Sequence, residues 1–333
     1  MKIIFIGTSE FASIVLEQLI GSGYSPVLII TETDKPAGRN QVLTFPPVKI
    51  TAQKYGISVD QPEKIKNYKL KNQSLGSTSK LRFFSIRRSN HLKPDLIVVA
   101  SYGQIIPQEI LDMPKHGCLN VHPSLLPEYR GASPIQKAIL NGDKKTGVTI
   151  IQMTEKIDSG PIVAIEKLEM KSQINYQELH NELANLGGNL LVKTIPLWVN
   201  GKIMTKSQDE SKATYTEIIT KKYGKIDWST SATEIERKIR AFNPWPGTYT
   251  FYEDKKTSEN KMIKILDAEI QEQTSNGPFG PLGKVYIATN NKLAVQTGKD
   301  FLIIKKLQME NKKPVNVEDF INGNIDFIGT IFN

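Results

Sequence analysis

Two stretches of this chain are apolar without alternation, 2–6 (Lys-Ile-Ile-Phe-Ile) and 94–100 (Pro-Asp-Leu-Ile-Val-Val-Ala). Successive side chains of a strand point to opposite faces, so an unbroken apolar run needs cover on both. Helices on both faces of a parallel sheet supply that cover, and 333 residues suffice for such a sheet and a second domain. After the first run comes Gly7-Thr8-Ser9-Glu10-Phe11, where Thr8 or Ser9 is placed to cap a helix. Phe11, Ile14, Val15 and Leu19 keep helical spacing, Gly21-Ser22-Gly23 ends the helix, and 27–31 reads as the next strand. This β-α-β opening predicts an α/β, Rossmann-like parallel sheet. The dinucleotide pattern Gly-x-Gly-x-x-Gly is absent, because Gly7 stands alone with Ser9 at the second glycine position. That argues against a nicotinamide cofactor.

Composition narrows the class. No run of eighteen apolar residues occurs, and the start reads as a strand rather than a signal peptide. The one cysteine, Cys118, excludes an internal disulfide and fits a reducing compartment. Four histidines and one cysteine show no metal-ligand spacing. The expectation is a cytoplasmic, metal-free protein. A net charge of +9 suggests an anionic partner, yet residues 64–93 hold nine Lys/Arg and no acid. That stretch equals the entire excess, so the overall charge says little about nucleic-acid binding. Its middle, Ser74-Leu75-Gly76-Ser77-Thr78-Ser79, is low in complexity and reads as an insertion between strands. An RNA contact and an idle solvated insert are both open to it, and composition favours the idle insert.

The polar signals collect late in the first half. Residues 34–46 form a long loop in which Lys35 and Arg39 suit a phosphate backbone, or are two solvated charges. A helix (48–55) and a short strand (57–60) follow. Ser101-Tyr102-Gly103 ends the 94–100 strand at a ligand-facing position, and 105–111 returns as a short helix. In Gly117-Cys118-Leu119-Asn120-Val121-His122-Pro123, alternation places Asn120 and His122 on one side and Leu119 and Val121 on the other. Ligands gather outside the carboxyl ends of such strands, although an isolated Asn-x-His is commonly a turn satisfied by backbone. Ser133 is placed as a cap and Pro134 at the first position of a helix reaching Asn141. A strand (148–153), a polar loop with Asp158, an edge or hairpin strand (161–170) and an amphipathic helix (176–199) follow. Spacing alone does not join Asp158 to His122.

Residues 200–223 are polar with little periodicity and read as a linker, which gives a first domain at 1–199 and a second at 224–333. The second opens with a helix at 232–241 and a rigid turn at 242–247. Five short strands (248–252, 262–270, 283–288, 292–297, 301–309) then suggest a small β-barrel, with a last helix at 317–322. From Lys206 onward there are 19 basic and 17 acidic residues, so any RNA contact there rests on a local patch.

Asn120-x-His122, Ser124-Leu125-Leu126-Pro127, Tyr129-Arg130-Gly131-Ala132-Ser133-Pro134-Ile135-Gln136 and Gly147-Val148-Thr149 leading to Asp158-Ser159-Gly160 resemble the formyltetrahydrofolate-dependent formyltransferases. Asp34-Lys35-Pro36-Ala37-Gly38-Arg39, Ile226-Asp227-Trp228 and Arg240-Ala241-Phe242-Asn243-Pro244-Trp245-Pro246 are similar to that family's methionyl-tRNA branch. The likeness covers nearly the whole chain except 74–91. It implies a Rossmann-like formyltransferase domain, carrying the basic insert at 74–91, joined to an OB-like tRNA-binding barrel. It also implies formyl transfer from 10-formyltetrahydrofolate, as co-substrate, to initiator methionyl-tRNA by a monomer without metal. By the same resemblance Asn120, His122 and Asp158 are catalytic. Ser124, Leu125, Leu126 and Pro127, with Val99, Ala100, Tyr102 and Gly103, hold the folate, and Lys35 and Arg39 touch tRNA. The rival acceptors of the same fold, a purine-precursor ribonucleotide or a nucleotide-linked amino sugar, need neither the Arg39 loop nor a barrel.

Overall fold

The computed structural model describes residues 1–37, 41–68, 93–254, 258–273, 280–288 and 292–333. Arg39 and the 74–91 insert lie outside the described residues. The chain forms two compact units, one of Met1–Arg130, Gly147–Lys167 and Asn181–Thr214, the other of Gly131–Thr146, Leu168–His180 and Tyr215–Asn333.

The elements up to residue 199 are β1 (Ile3–Gly7), α1 (Glu10–Gly21), β2 (Leu28–Ile30), β3 (Lys35–Ala37), β4 (Val42–Thr44), α2 (Pro47–Lys54), β5 (Val59–Asp60), β6 (Leu96–Ala100), α3 (Gln108–Leu111), β7 (Cys118–His122), β8 (Arg130–Gly131), α4 (Pro134–Asn141), β9 (Lys145–Gln152), β10 (Ile162–Glu169) and α5 (Tyr176–Val199). Seven strands make one sheet in the order β10-β9-β7-β6-β1-β2-β5. β1, β6 and β7 are buried along their whole length, β1 and β6 as their unbroken apolar sequences require. The lone Gly7 has a packing reason: a Cβ there would lie 2.7 Å from both the Ala100 carbonyl oxygen and the Ala12 Cβ. On the Leu119/Val121 face, Gly187 lets α5 approach the sheet, since its Cβ would stand 2.7 Å from Val121 Cγ1. The other face of β7 meets α3 at its beginning. There Ile110 and Leu111 of α3 join Cys118, Ile97 and Val99 in one apolar cluster.

The parallel order does not extend across the sheet. β7 and β9 are antiparallel, with Leu119 opposite Gln152 and His122 opposite Thr149. Capping also differs from expectation. Ser9 and Ser133 occupy N-cap positions without a side-chain cap bond. Their hydroxyls donate instead to Ser101 Oγ (2.7 Å) and to the Glu217 carbonyl (2.8 Å).

In the second unit β11 (Tyr215–Thr216), α6 (Ala232–Phe242), β12 (Thr248–Glu253), β13 (Asn260–Gln271), β14 (Val285–Ala288), β15 (Lys292–Gln296), β16 (Phe301–Met309), β17 (Val315–Asn316) and α7 (Val317–Gly323) follow. The antiparallel sheet runs β12-β13-β16-β15-β14, with β17 on β16. The segment 330–333 bonds to both of its ends: Phe251 and Asn333 exchange backbone bonds beside β12, and Val285 donates to Thr330 at β14. That stitch curls the sheet into a small barrel around Trp228, Ile263, Val295, Leu302 and Phe332. α6 opens with a capping box between Ser231 and Glu234.

Candidate active site

Asn120 and His122, two apart on β7, project from the same face as Cys118, and both are buried. Asp158 meets them. Its Oδ1 accepts from Asn120 Nδ2 at 3.2 Å, and its Oδ2 lies 3.5 Å from His122 Nδ1. Two parallel strand ends do not create this meeting. Because β9 runs backwards, its last residues lie beside the start of β7, where Met153 N donates to the Cys118 carbonyl at 2.8 Å. The 154–160 loop then reverses to bring Asp158 to the His122 end. The reversal is tight: Asp158 takes a left-handed φ of 47°, and a Cβ on Gly160 would overlap the Gln152 carbonyl. Sparsely populated backbone of this kind concentrates at functional sites.

His122 Nε2 lies 3.0 Å from the Tyr129 carbonyl. A carbonyl only accepts, so Nε2 carries a hydrogen, and Nδ1 is the nitrogen turned to the carboxylate. Tyr129 itself has a φ of 59°. Its backbone N donates to Thr214 Oγ1 at 2.8 Å.

The loop after His122 is pinned rather than open. Ser124 is fully buried and its hydroxyl donates to the Glu128 carbonyl at 2.6 Å. Leu126 is buried, Leu125 and Pro127 half-buried. Thr149 of β9 holds the loop by accepting from Leu126 N and donating to the Ser124 carbonyl. Val99 is the register partner of Asn120, so the end of β6 runs alongside the triad. Beyond it, Ala100 is buried and Gly103 exposed. Tyr102 is half-buried, and burial followed by the nearby Glu32 charge pushes its phenol up to about 12. Cys118, two residues before Asn120, has its thiol pushed up to about 12 by burial and secondarily by Asp112.

Lys35 pairs with Glu32 at 2.5 Å and keeps most of its surface exposed. The loop it belongs to is anchored at Asp34, which accepts from Lys49 at 2.6 and 2.8 Å and from Gln61 at 2.8 Å. Those bonds, the Lys49 one foremost, hold the Asp34 carboxyl below its usual range. Val42 and Leu43 of β4 are exposed.

Sequence reasoning missed three residues that touch the site. Arg130, 1% exposed, gives Glu210 a two-pronged bond of 2.9 and 2.7 Å and donates to Gln208 Oε1 at 2.8 and 3.2 Å. Gln208 Nε2 in turn donates to the carbonyls of Asp158 and Gly160, both at 2.7 Å. The polar stretch around Gln208 carried no apolar period that could have signalled it. Among the described residues no group of three or more His, Cys, Asp or Glu is placed to hold a metal, and no helix is long and apolar enough to cross a membrane.

Residues 1–195 match the family model "Formyl transferase" and residues 218–324 match "Formyl transferase, C-terminal domain". The methionyl-tRNA formyltransferase of Alkaliphilus oremlandii is 42% identical over 324 residues, 97% of each chain. That of Bacillus subtilis is 40% identical over 324 residues, 97% of this chain and 94% of the relative. The solved structure of WlaRD, a sugar 3N-formyl transferase crystallised with dTDP and 5-N-formyl-THF, shares the fold at a TM-score of 0.60 and 19% identity. It covers 94% of this chain and 99% of that one. With both domains matched and relatives of this identity along nearly its full length, the chain belongs to the methionyl-tRNA formyltransferases of the formyl transferase family.

Proposed function

We propose that this chain transfers the formyl group of 10-formyltetrahydrofolate to the α-amino group of methionine on initiator methionyl-tRNA, and that Asn120, His122 and Asp158 carry the step. The observation that supports the site is the Asp158 carboxylate held between Asn120 and His122 on one face of β7. The amine forms a bond to the formyl carbon, the bond from that carbon to N10 breaks, and the proton lost by the amine ends on N10. One Nδ2 hydrogen of Asn120 serves Asp158 and the other is left for the formyl oxygen. His122 exchanges the Tyr129 carbonyl for that oxygen as acceptor of its Nε2–H. Donors aimed where charge develops contribute about 3–4 kcal/mol each in comparable sites. Asp158 takes the amine proton, directly or through water, and returns it to the leaving nitrogen.

Ser124–Pro127 and the chain from Val99 to Gly103 line the folate, with Thr149 fixing the first of these loops. Lys35 and Arg39 meet the acceptor end of the tRNA, and the exposed Val42 and Leu43 lie on the strand paired with that of Lys35. The barrel carries the rest of the tRNA through phosphate contacts, which makes affinity salt-dependent. The enzyme works as a monomer, in the cytoplasm and without a metal.

The test is formyl transfer from 10-formyltetrahydrofolate to methionine-charged initiator tRNA, with uncharged tRNA and free methionine as controls. Product confined to charged tRNA supports the reading. Absence of product, with folate bound, overturns it in favour of a small-amine acceptor.

A further inference from the structure

We infer that Gln208, held by Arg130 and Glu210, is a positioning residue that sets the catalytic carboxylate of Asp158. The inference rests on the reading of Asp158 as the proton acceptor given above. The side chain of Asp158 can face both Asn120 and His122 only if its backbone keeps the left-handed φ of 47°. Such a conformation has to be held by its surroundings. Gln208 does this with one nitrogen: its two hydrogens go to the carbonyls on either side of Ser159, at 2.7 Å each, 50 and 48 residues away in sequence.

An amide able to turn over would present its oxygen to those carbonyls half the time. Here it cannot, because its oxygen is taken by two N–H groups of Arg130, at 2.8 and 3.2 Å. A guanidinium only donates, so it fixes which end of the amide is which. Arg130 is itself clamped by the two-pronged Glu210 carboxylate. Its bond to Arg130 comes first among the causes that hold the Glu210 carboxyl below its usual range. The same segment reaches the other catalytic side chain. Thr214 accepts from Tyr129 N through its hydroxyl and from Arg130 N through its carbonyl (2.9 Å), and Tyr129 supplies the carbonyl on His122 Nε2. Residues 208–214 therefore set the loop partners of both His122 and Asp158 without touching the reacting atoms.

The discriminating variant is Gln208→Glu. It keeps acceptors for Arg130 and nearly the same volume, but offers no hydrogen to the Asp158 and Gly160 carbonyls. Misplacement of a catalytic group by about 1 Å costs on the order of 100-fold. The expected result is a kcat lowered by about 10- to 100-fold, with KM for charged tRNA within about twofold of the parent. The pH dependence of kcat should move, and so should the imidazole NMR signals of His122, which residue 208 does not touch. Glu210→Gln, which keeps an acceptor for the buried Arg130 guanidinium but removes the charge, should lower kcat in the same sense by a smaller factor. Wild-type kcat and unmoved His122 signals in Gln208→Glu would overturn the inference. So would loss of activity that only tracks a lowered melting temperature in both variants. His122→Ala is run beside them: if it keeps turnover, the site reading itself fails, whereas a dead His122→Ala with a fully active Gln208→Glu removes this inference alone.

Discussion

Thr149 stands opposite His122 in the antiparallel register of β7 and β9, and its hydroxyl holds the loop that His122 begins. It is fully buried, accepting from Leu126 N at 3.1 Å and donating to the Ser124 carbonyl at 2.7 Å. Thr149→Val preserves shape and leaves both backbone groups buried without a partner. The expected cost is about 2–6 kcal/mol in urea unfolding, from roughly 1–3 for each stranded group. Thr149→Ser should restore most of it. Equal stability of the valine and serine variants would show that the hydroxyl holds nothing.

Asp158→Asn keeps the size of the side chain and removes its ability to take a proton. Turnover of charged tRNA should fall by about 100- to 10,000-fold, the range for a positioned acid or base. Folate binding, followed by calorimetry, should stay within a few-fold of the parent. Turnover within threefold of the parent would move the proton transfer to another group.

Two buried acids tie stability to alkaline pH. The Cys118 thiol rises from 9.0 to about 12 and the Tyr102 phenol from 10.0 to about 12. Both groups are neutral when protonated, so between pH 9 and 12 the unfolded chain binds fewer protons than the folded one. Their contribution is fully present below pH 9 and declines as pH rises through that window. Unfolding free energies measured from pH 7 to 11 should fall above pH 9, and less steeply in Cys118→Ala. The native protein should also resist thiol reagents at pH 8 and react once unfolded. Rapid labelling of the native protein would contradict the burial of Cys118.

Lys35 and Arg39 are assigned to tRNA phosphates. Replacing either with alanine should raise KM for charged tRNA with little change in kcat. It should also flatten the dependence of log affinity on log salt by about one contact's worth, a slope change of roughly 0.7–0.9. An unaltered salt slope in both variants would leave the two charges as solvated surface.

Several elements were legible because burial writes itself into composition. The strands β1 and β6 were visible as unbroken apolar runs, and the helix at 176–199 was visible from its period despite Pro196 inside it. The shared side of Asn120 and His122 followed from alternation alone. Strand direction did not: 148–153 is equally apolar in either sense, and the reversal at β9 decides how Asp158 arrives. Hydrogen-bonded scaffolding is equally silent. Ser9 and Ser133 look like caps because nothing local reveals that Ser101 and Glu217 take their hydroxyls. Gln208, Glu210 and Thr214 read as linker because the partners that give them meaning lie some 50 to 85 positions away in sequence.

The bond from Gln208 to Asp158 has a consequence for synthesis on the ribosome. A nascent chain that has emerged as far as residue 199 already contains β1 through β10, Asn120, His122 and Asp158. It lacks Gln208, whose amide donates to the carbonyls of Asp158 and Gly160. The strands can pair and the apolar faces can close before those bonds can form. The loop that carries Asp158 is therefore fixed late, by a short polar passage between the two matched domains, after the sheet it serves is complete.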